Sequence, residues 1–123
     1  VRLVQIDAPE ESHGGHAGQA FGARSKDTLA SLAAGRVVTV IEAGQDRYAR
    51  TLGTVLMDGT DVNKEMVRRG MAWAYRQYVT DPAFIKIEAE ARGARRGLWV
   101  DASPVPPWEF RRQNATEGAS HAK

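Results

Sequence analysis

The chain contains no cysteine, which excludes disulfides and thiolate metal centres. It has no apolar run near the ~20 residues that a membrane-spanning helix needs. Three common loop signatures are also missing: Gly-x-Gly-x-x-Gly, the Walker loop and Gly-x-Ser-x-Gly. Excess charge is small, since 17 Lys and Arg against 15 Asp and Glu leave a formal +2. That balance neither requires nor excludes a polyanionic partner. What is present fits one globular domain: 123 residues, 42% hydrophobic and 26% charged, a composition that rules out collagen-like or wholly disordered chains. The basic excess lies in the second half, and Arg outnumbers Lys 13 to 4. Arginine's planar fork suits carboxylate or phosphate partners.

Residues 1–6 are β-rich with no turn or cap before them, so a strand is expected there, with further chain upstream. Pro9 closes it. Residues 12–18 hold three glycines and read as a surface loop, followed by an amphipathic helix over 19–33. Residues 37–41 and 51–57 read as strands, the second ending at the tight-turn pair Asp58-Gly59, with a polar turn over 43–50 between them. Asp61 is placed to cap a short helix that Gly70 stops. Residues 71–78 are aromatic-rich and suit a short strand or a platform on the sheet. A third helix is expected over 82–96, with Lys86, Arg92, Arg95 and Arg96 mostly on its wet side. Residues 104–110 read as extended, anchored by Trp108 and Phe110. No large apolar residue follows, so 111–123 is expected to be disordered. These elements point to an α+β domain, with a partly open barrel as one option.

Two stretches concentrate reactive side chains. Asp7 and Glu10 flank Ala8-Pro9 at a strand end, where two carboxylates can divide cation binding from general-base work, or serve as turn formers. Arg2 has the opposite strand parity to Asp7, so the two converge only if the chain turns at Asp7. In Asp46-Arg47-Tyr48-Ala49-Arg50, two guanidiniums around a Tyr suit a phosphate and a stacked base, or form an exposed turn with an Asp–Arg pair. His13 and His16 form a His-x-x-His pair without a third ligand nearby.

Several motifs are similar, in order and spacing, to the staphylococcal nuclease (thermonuclease) family. They are Val1 to Glu10, Asp46 to Gly53, Asp61-Val62-Asn63, Met66 to Ala72 and Gly97-Leu98-Trp99. The resemblance covers residues 1–100. Residues 101–110, with Pro-Pro-Trp-Glu-Phe, resemble an extension of bacterial members, and 111–123 remain the disordered tail. The resemblance implies an OB-type five-stranded Greek-key barrel with three helices, its first strands upstream of Val1. It implies calcium-dependent, endonucleolytic hydrolysis of DNA and RNA phosphodiesters with little sequence preference. Arg2 and Arg50 would bind the phosphate and stabilise charge, and Glu10 would be the general base. Asp7 and the backbone carbonyl of Ala8 would hold calcium, while Arg47, Tyr48 and Tyr75 would contact substrate. Two alternatives stand beside this: a non-catalytic nuclease-like module that binds nucleic acid or protein, and a zinc hydrolase built on His13 and His16. The remaining expectations are a monomer without a membrane span, working outside the cytoplasm where calcium is plentiful.

Overall fold

The computed structural model describes residues 1–12, 17–33 and 35–121. His13 and His16 lie outside the described residues, as does most of the 12–18 loop.

The opening apolar run is not one strand. It divides into β1 (Arg2–Leu3) and β2 (Ile6–Asp7), separated by a turn in which Gln5 takes φ 68°. A left-handed residue other than glycine costs roughly 1–2 kcal/mol, and Gln5 offsets this with its bonds. Its side-chain oxygen accepts from the Thr80 amide at 3.0 Å, the Thr80 hydroxyl at 3.1 Å and the Asp81 amide at 2.7 Å. The chain therefore turns at Val4-Gln5 rather than at Asp7.

The helix α1 (Gly22–Ala33) starts three residues later than its periodicity suggests, because Phe21 sits at φ 70°. Strand β3 (Thr39–Gln45) runs further than expected, taking in part of the presumed turn. It pairs antiparallel with β4 (Thr51–Met57), with a register shift between Glu42 and Gln45. After Asp58-Gly59, β5 (Thr60–Asp61) returns along β4. Asp61 caps α2 (Val62–Arg68) by accepting from the Lys64 amide at 3.0 Å. Then β6 (Trp73–Ala74) pairs antiparallel with β2, while β1 runs parallel to β4. Asp81 caps α3 (Pro82–Gly93), with Pro82 in the first turn, where its missing N–H has no partner to lose.

The architecture is α+β. The expected five-stranded barrel with three helices needs correcting: six short strands lie in a four-stranded and a two-stranded sheet, neither closed among the described residues, alongside four α-helices. The Val4-Gln5 turn is the reason the sheets separate, since it hands the chain from β4 to β6. Over the described residues the C-terminal region also differs from expectation, and 122–123 of the expected tail lie outside them. A one-turn 3-10 segment at Gly97–Val100 leads to α4 (Pro107–His121), a helix where an extended segment and a disordered tail were expected. Pro107 in its first turn presets φ, and Glu109 suits the positive end of the helix dipole.

The main core gathers Val55 of β4, Val62, Met66 and Val67 of α2, Phe84 and Ile87 of α3, and Leu32 of α1. A second cluster packs Trp73, Ala91, Leu98 and Trp99, with Trp108 of α4 against its side. Arg92, expected on the wet side of α3, instead lies 4.1 Å over the Trp99 ring and 5.1 Å from Trp73. It also pairs at 2.9 Å with Glu88, a buried carboxylate that accepts from the Ala74 amide at 2.7 Å and from Arg76.

Candidate active site

The two reactive stretches meet across one groove of about 870 Å³. Arg2, Glu10, Arg47, Tyr48, Arg50 and Tyr75 all line it, and so does Arg111 of α4. Asp7 and Ala8 are not among the lining residues.

Each side of the groove is held by backbone contacts. Glu10 is clamped to the start of α1: its amide donates to the Gln19 side chain at 3.3 Å, and its carbonyl accepts from the Gln19 amide at 2.7 Å. Gly22 packs so closely against that carbonyl that a β-carbon there would lie 2.1 Å from the oxygen. Opposite, Asp46 organises the turn before β4. Its carboxylate accepts from the amides of Tyr48 at 2.8 Å and Arg50 at 3.0 Å and from Arg50 Nε at 2.6 Å. Desolvation raises the Asp46 carboxyl, but these bonds and the charge of Arg50 together outweigh it and hold the group below the usual range. Asn63 in α2 ties the Val4 carbonyl to β4, donating to it and to the Gly53 carbonyl and accepting from the Val55 amide, each at 3.1 Å.

Ala49 adopts φ 60°, a left-handed conformation that favours glycine. Ala49→Gly is therefore expected to stabilise the chain by about 1 kcal/mol, after the loss of glycine's extra unfolded-state entropy is counted. Denaturant unfolding measures this, and a destabilised variant would contradict the strain.

The groove's cations differ in how they are engaged. The Arg2 side chain and the terminal nitrogens of Arg50 have no hydrogen-bond partner among the described residues, although both face the groove. Arg47 and Arg50 flank the exposed Tyr48 ring at 5.0 and 5.4 Å. The exposed-turn reading is thus present in the Asp46–Arg50 pair, yet the same turn lines the groove. Asp7 is buried, and burial pushes its carboxyl upward; bonds to Arg111 and the field of Arg2 pull it back only in part. The two carboxylates keep Arg111 protonated against its own burial.

A hard dication suits these donors by type, since Asp7 and Glu10 offer only oxygen. Each Asp7 oxygen uses one lone pair on Arg111 and retains a second. Among the described residues no group of three or more His, Cys, Asp or Glu side chains is gathered for a metal.

Sequence reasoning missed Gln19, Gly22, Asn63 and Arg111 as parts of this arrangement. For Arg111 a signal existed: Pro107 is a helix-start signal, and on that helix Trp108 and Arg111 share a face.

Similarity to other proteins agrees with these motifs. A family model described as staphylococcal nuclease homologue matches residues 1–101. An uncharacterized endonuclease of Escherichia coli O157:H7 is 51% identical over 112 residues, covering 90% of this chain and 69% of that protein. Another, from Haemophilus influenzae, is 45% identical over 113 residues, covering 92% and 60%. A micrococcal nuclease of Shigella flexneri is 45% identical over 129 residues, covering 94% and 71%. With so much of the chain matched, and the same motifs lining the groove, this protein belongs to the staphylococcal nuclease homologue family.

Proposed function

We propose that this chain is a nuclease that hydrolyses phosphodiester bonds in DNA and RNA, endonucleolytically and with little sequence preference. One observation carries the reading: the Glu10 carboxylate shares a groove with Arg2 and Arg50, whose terminal nitrogens have no hydrogen-bond partner among the described residues, while the other lining carboxylate, Asp46, is taken up by the turn before β4. A phosphodiester fits between them. Arg2 and Arg50 bind its non-bridging oxygens and stabilise the charge that grows there under attack. Glu10 takes a proton from water as the water oxygen bonds to phosphorus. The bond from phosphorus to the leaving oxygen then breaks, and that oxygen is protonated from solvent. Tyr48 offers an exposed face to a base, with Arg47 beside it, and Tyr75 contacts substrate from the opposite wall.

Calcium dependence belongs to the same proposal. Asp7 and the Ala8 carbonyl would hold the ion, which when bound supplies Lewis-acid charge to the phosphate. The proposal extends to a monomer acting in calcium-rich surroundings outside the cytoplasm, on an OB-type barrel of which the open sheet is a part.

Incubation with single-stranded DNA or RNA in millimolar calcium is expected to give internal cuts, and excess chelator to stop them. Substrate bound in calcium but left uncut overturns the enzyme reading in favour of the binding module. Cleavage that survives chelation removes calcium from it.

A further inference from the structure

We propose that Arg111 is a positioning residue for this reaction: it holds the Glu10 carboxylate at the groove by bracing it against Asp7. The inference rests on the reading of Glu10 as the general base.

The geometry is that of a fork joining two carboxylates. Nη1 of Arg111 donates to Asp7 Oδ1 at 3.0 Å and Glu10 Oε1 at 2.6 Å, while Nη2 donates to Asp7 Oδ2 at 2.6 Å and the Tyr75 hydroxyl at 3.2 Å. Four of the five guanidinium N–H groups are thus engaged. Only Nε–H remains, which separates Arg111 from Arg2 and Arg50: it has little left to offer a phosphate. Its work is on the two carboxylates, which would otherwise repel each other across a short proline-stiffened segment.

The helix carrying Arg111 is itself fixed. Pro107 is fully buried at its start, and Trp108 stacks on Tyr75 with centroids 5.3 Å apart and planes 8° from parallel. Trp108 also meets Trp73 edge-on at 5.5 Å. Gln19 links the parts, because its side chain donates to the Val105 carbonyl just before α4 and also accepts from the Glu10 amide. Glu10 is therefore located twice, through its backbone by Gln19 and through its carboxylate by Arg111. A lysine at 111 would deliver one charged atom rather than a planar fork.

The test compares wild type, Arg111→Ala, Arg111→Lys and Arg112→Ala on a single-stranded oligodeoxynucleotide in calcium. Steady-state cleavage, thermal melting, and binding of the labelled oligonucleotide in chelator are measured for each. Removing a residue that orients a catalytic group costs about 10- to 100-fold in activity. Arg111→Ala is expected to lose that much in kcat, with KM and the Kd in chelator within about twofold of wild type. Arg111→Lys should recover part of the loss, and Arg112→Ala should match wild type. Wild-type kcat in Arg111→Ala overturns the inference alone, leaving the nuclease reading intact. So does a loss that appears in KM and Kd, which would make Arg111 a substrate ligand, or a gain in kcat, which would make it a competitor of the ion. If Arg111→Ala melts below the assay temperature, Arg111→Lys decides: a wild-type kcat in that variant overturns the bracing fork. A folded wild type that cuts nothing overturns both readings.

Discussion

Glu10→Gln is expected to lower the cleavage rate by about 10²- to 10⁴-fold, the contribution typical of a positioned general base. The amide is nearly the same shape, and its oxygen can still accept from Arg111 Nη1, so the side chain keeps a partner. The backbone bonds between Gln19 and residue 10, and the close packing of Gly22, do not involve the carboxylate. What disappears is the ability to take a proton from water. Substrate affinity should hold or improve, because a negative charge beside a phosphate has been removed. Single-turnover cleavage and melting of the same sample separate the two effects. A folded variant that retains more than about half of the wild-type rate would place the base elsewhere.

The second large effect is on the fold. Asn63→Ala should destabilise the chain by about 3 kcal/mol, since a buried donor or acceptor left without a partner costs about 1–3 kcal/mol. Asn63 is fully buried, and its removal orphans the Val55 amide and the Val4 carbonyl. The Gly53 carbonyl suffers less because it still accepts from the Val4 amide at 3.0 Å. For a chain of this size the melting midpoint should fall by roughly 10 °C. Asn63→Asp should do no better, because its carboxylate would face two carbonyl oxygens where the amide group donated. Cleavage should fall even well below the midpoint, since the Val4-Gln5 turn that Asn63 anchors sets the relation of Arg2 to Asp7. A loss under about 1 kcal/mol in denaturant titration would contradict the orphaned-amide argument.

How far the structure could be read from sequence depended on whether the cause of each element was local. Strand β4 spans the expected 51–57, because an apolar run there ends at a turn pair of strong type. The cap of α2 is likewise written within three residues, at Asp61, and α3 begins at the expected residue 82. The break between β1 and β2 has no local cause. Val1 to Ile6 has the propensity of an unbroken strand, and the bonds that stabilise the turn come from Thr80 and Asp81, 75 and 76 residues away. Helix α4 was missed for a related reason: its composition has no large apolar residue beyond Phe110, while its docking rests on Pro107 and Trp108 before that point. In the candidate site, the motifs brought forward Arg2, Glu10 and Arg50, and the structure places all three in one groove. For Arg111 the legible part was the helix start at Pro107 and the face shared with Trp108; its partners were not legible, since no local feature points to two carboxylates 101 and 104 positions earlier.

That separation orders events during synthesis. The ribosome delivers Arg2, Asp7, Glu10, Arg50 and the whole of β4 before residue 111. A nascent chain can assemble most of its groove while its two carboxylates still lack the guanidinium that joins them. The groove reaches its final form only when α4 has left the tunnel, so its maturation waits on the synthesis of that helix. A protease that cut between Asp101 and Pro106 and released α4 would leave the groove in that unbraced condition.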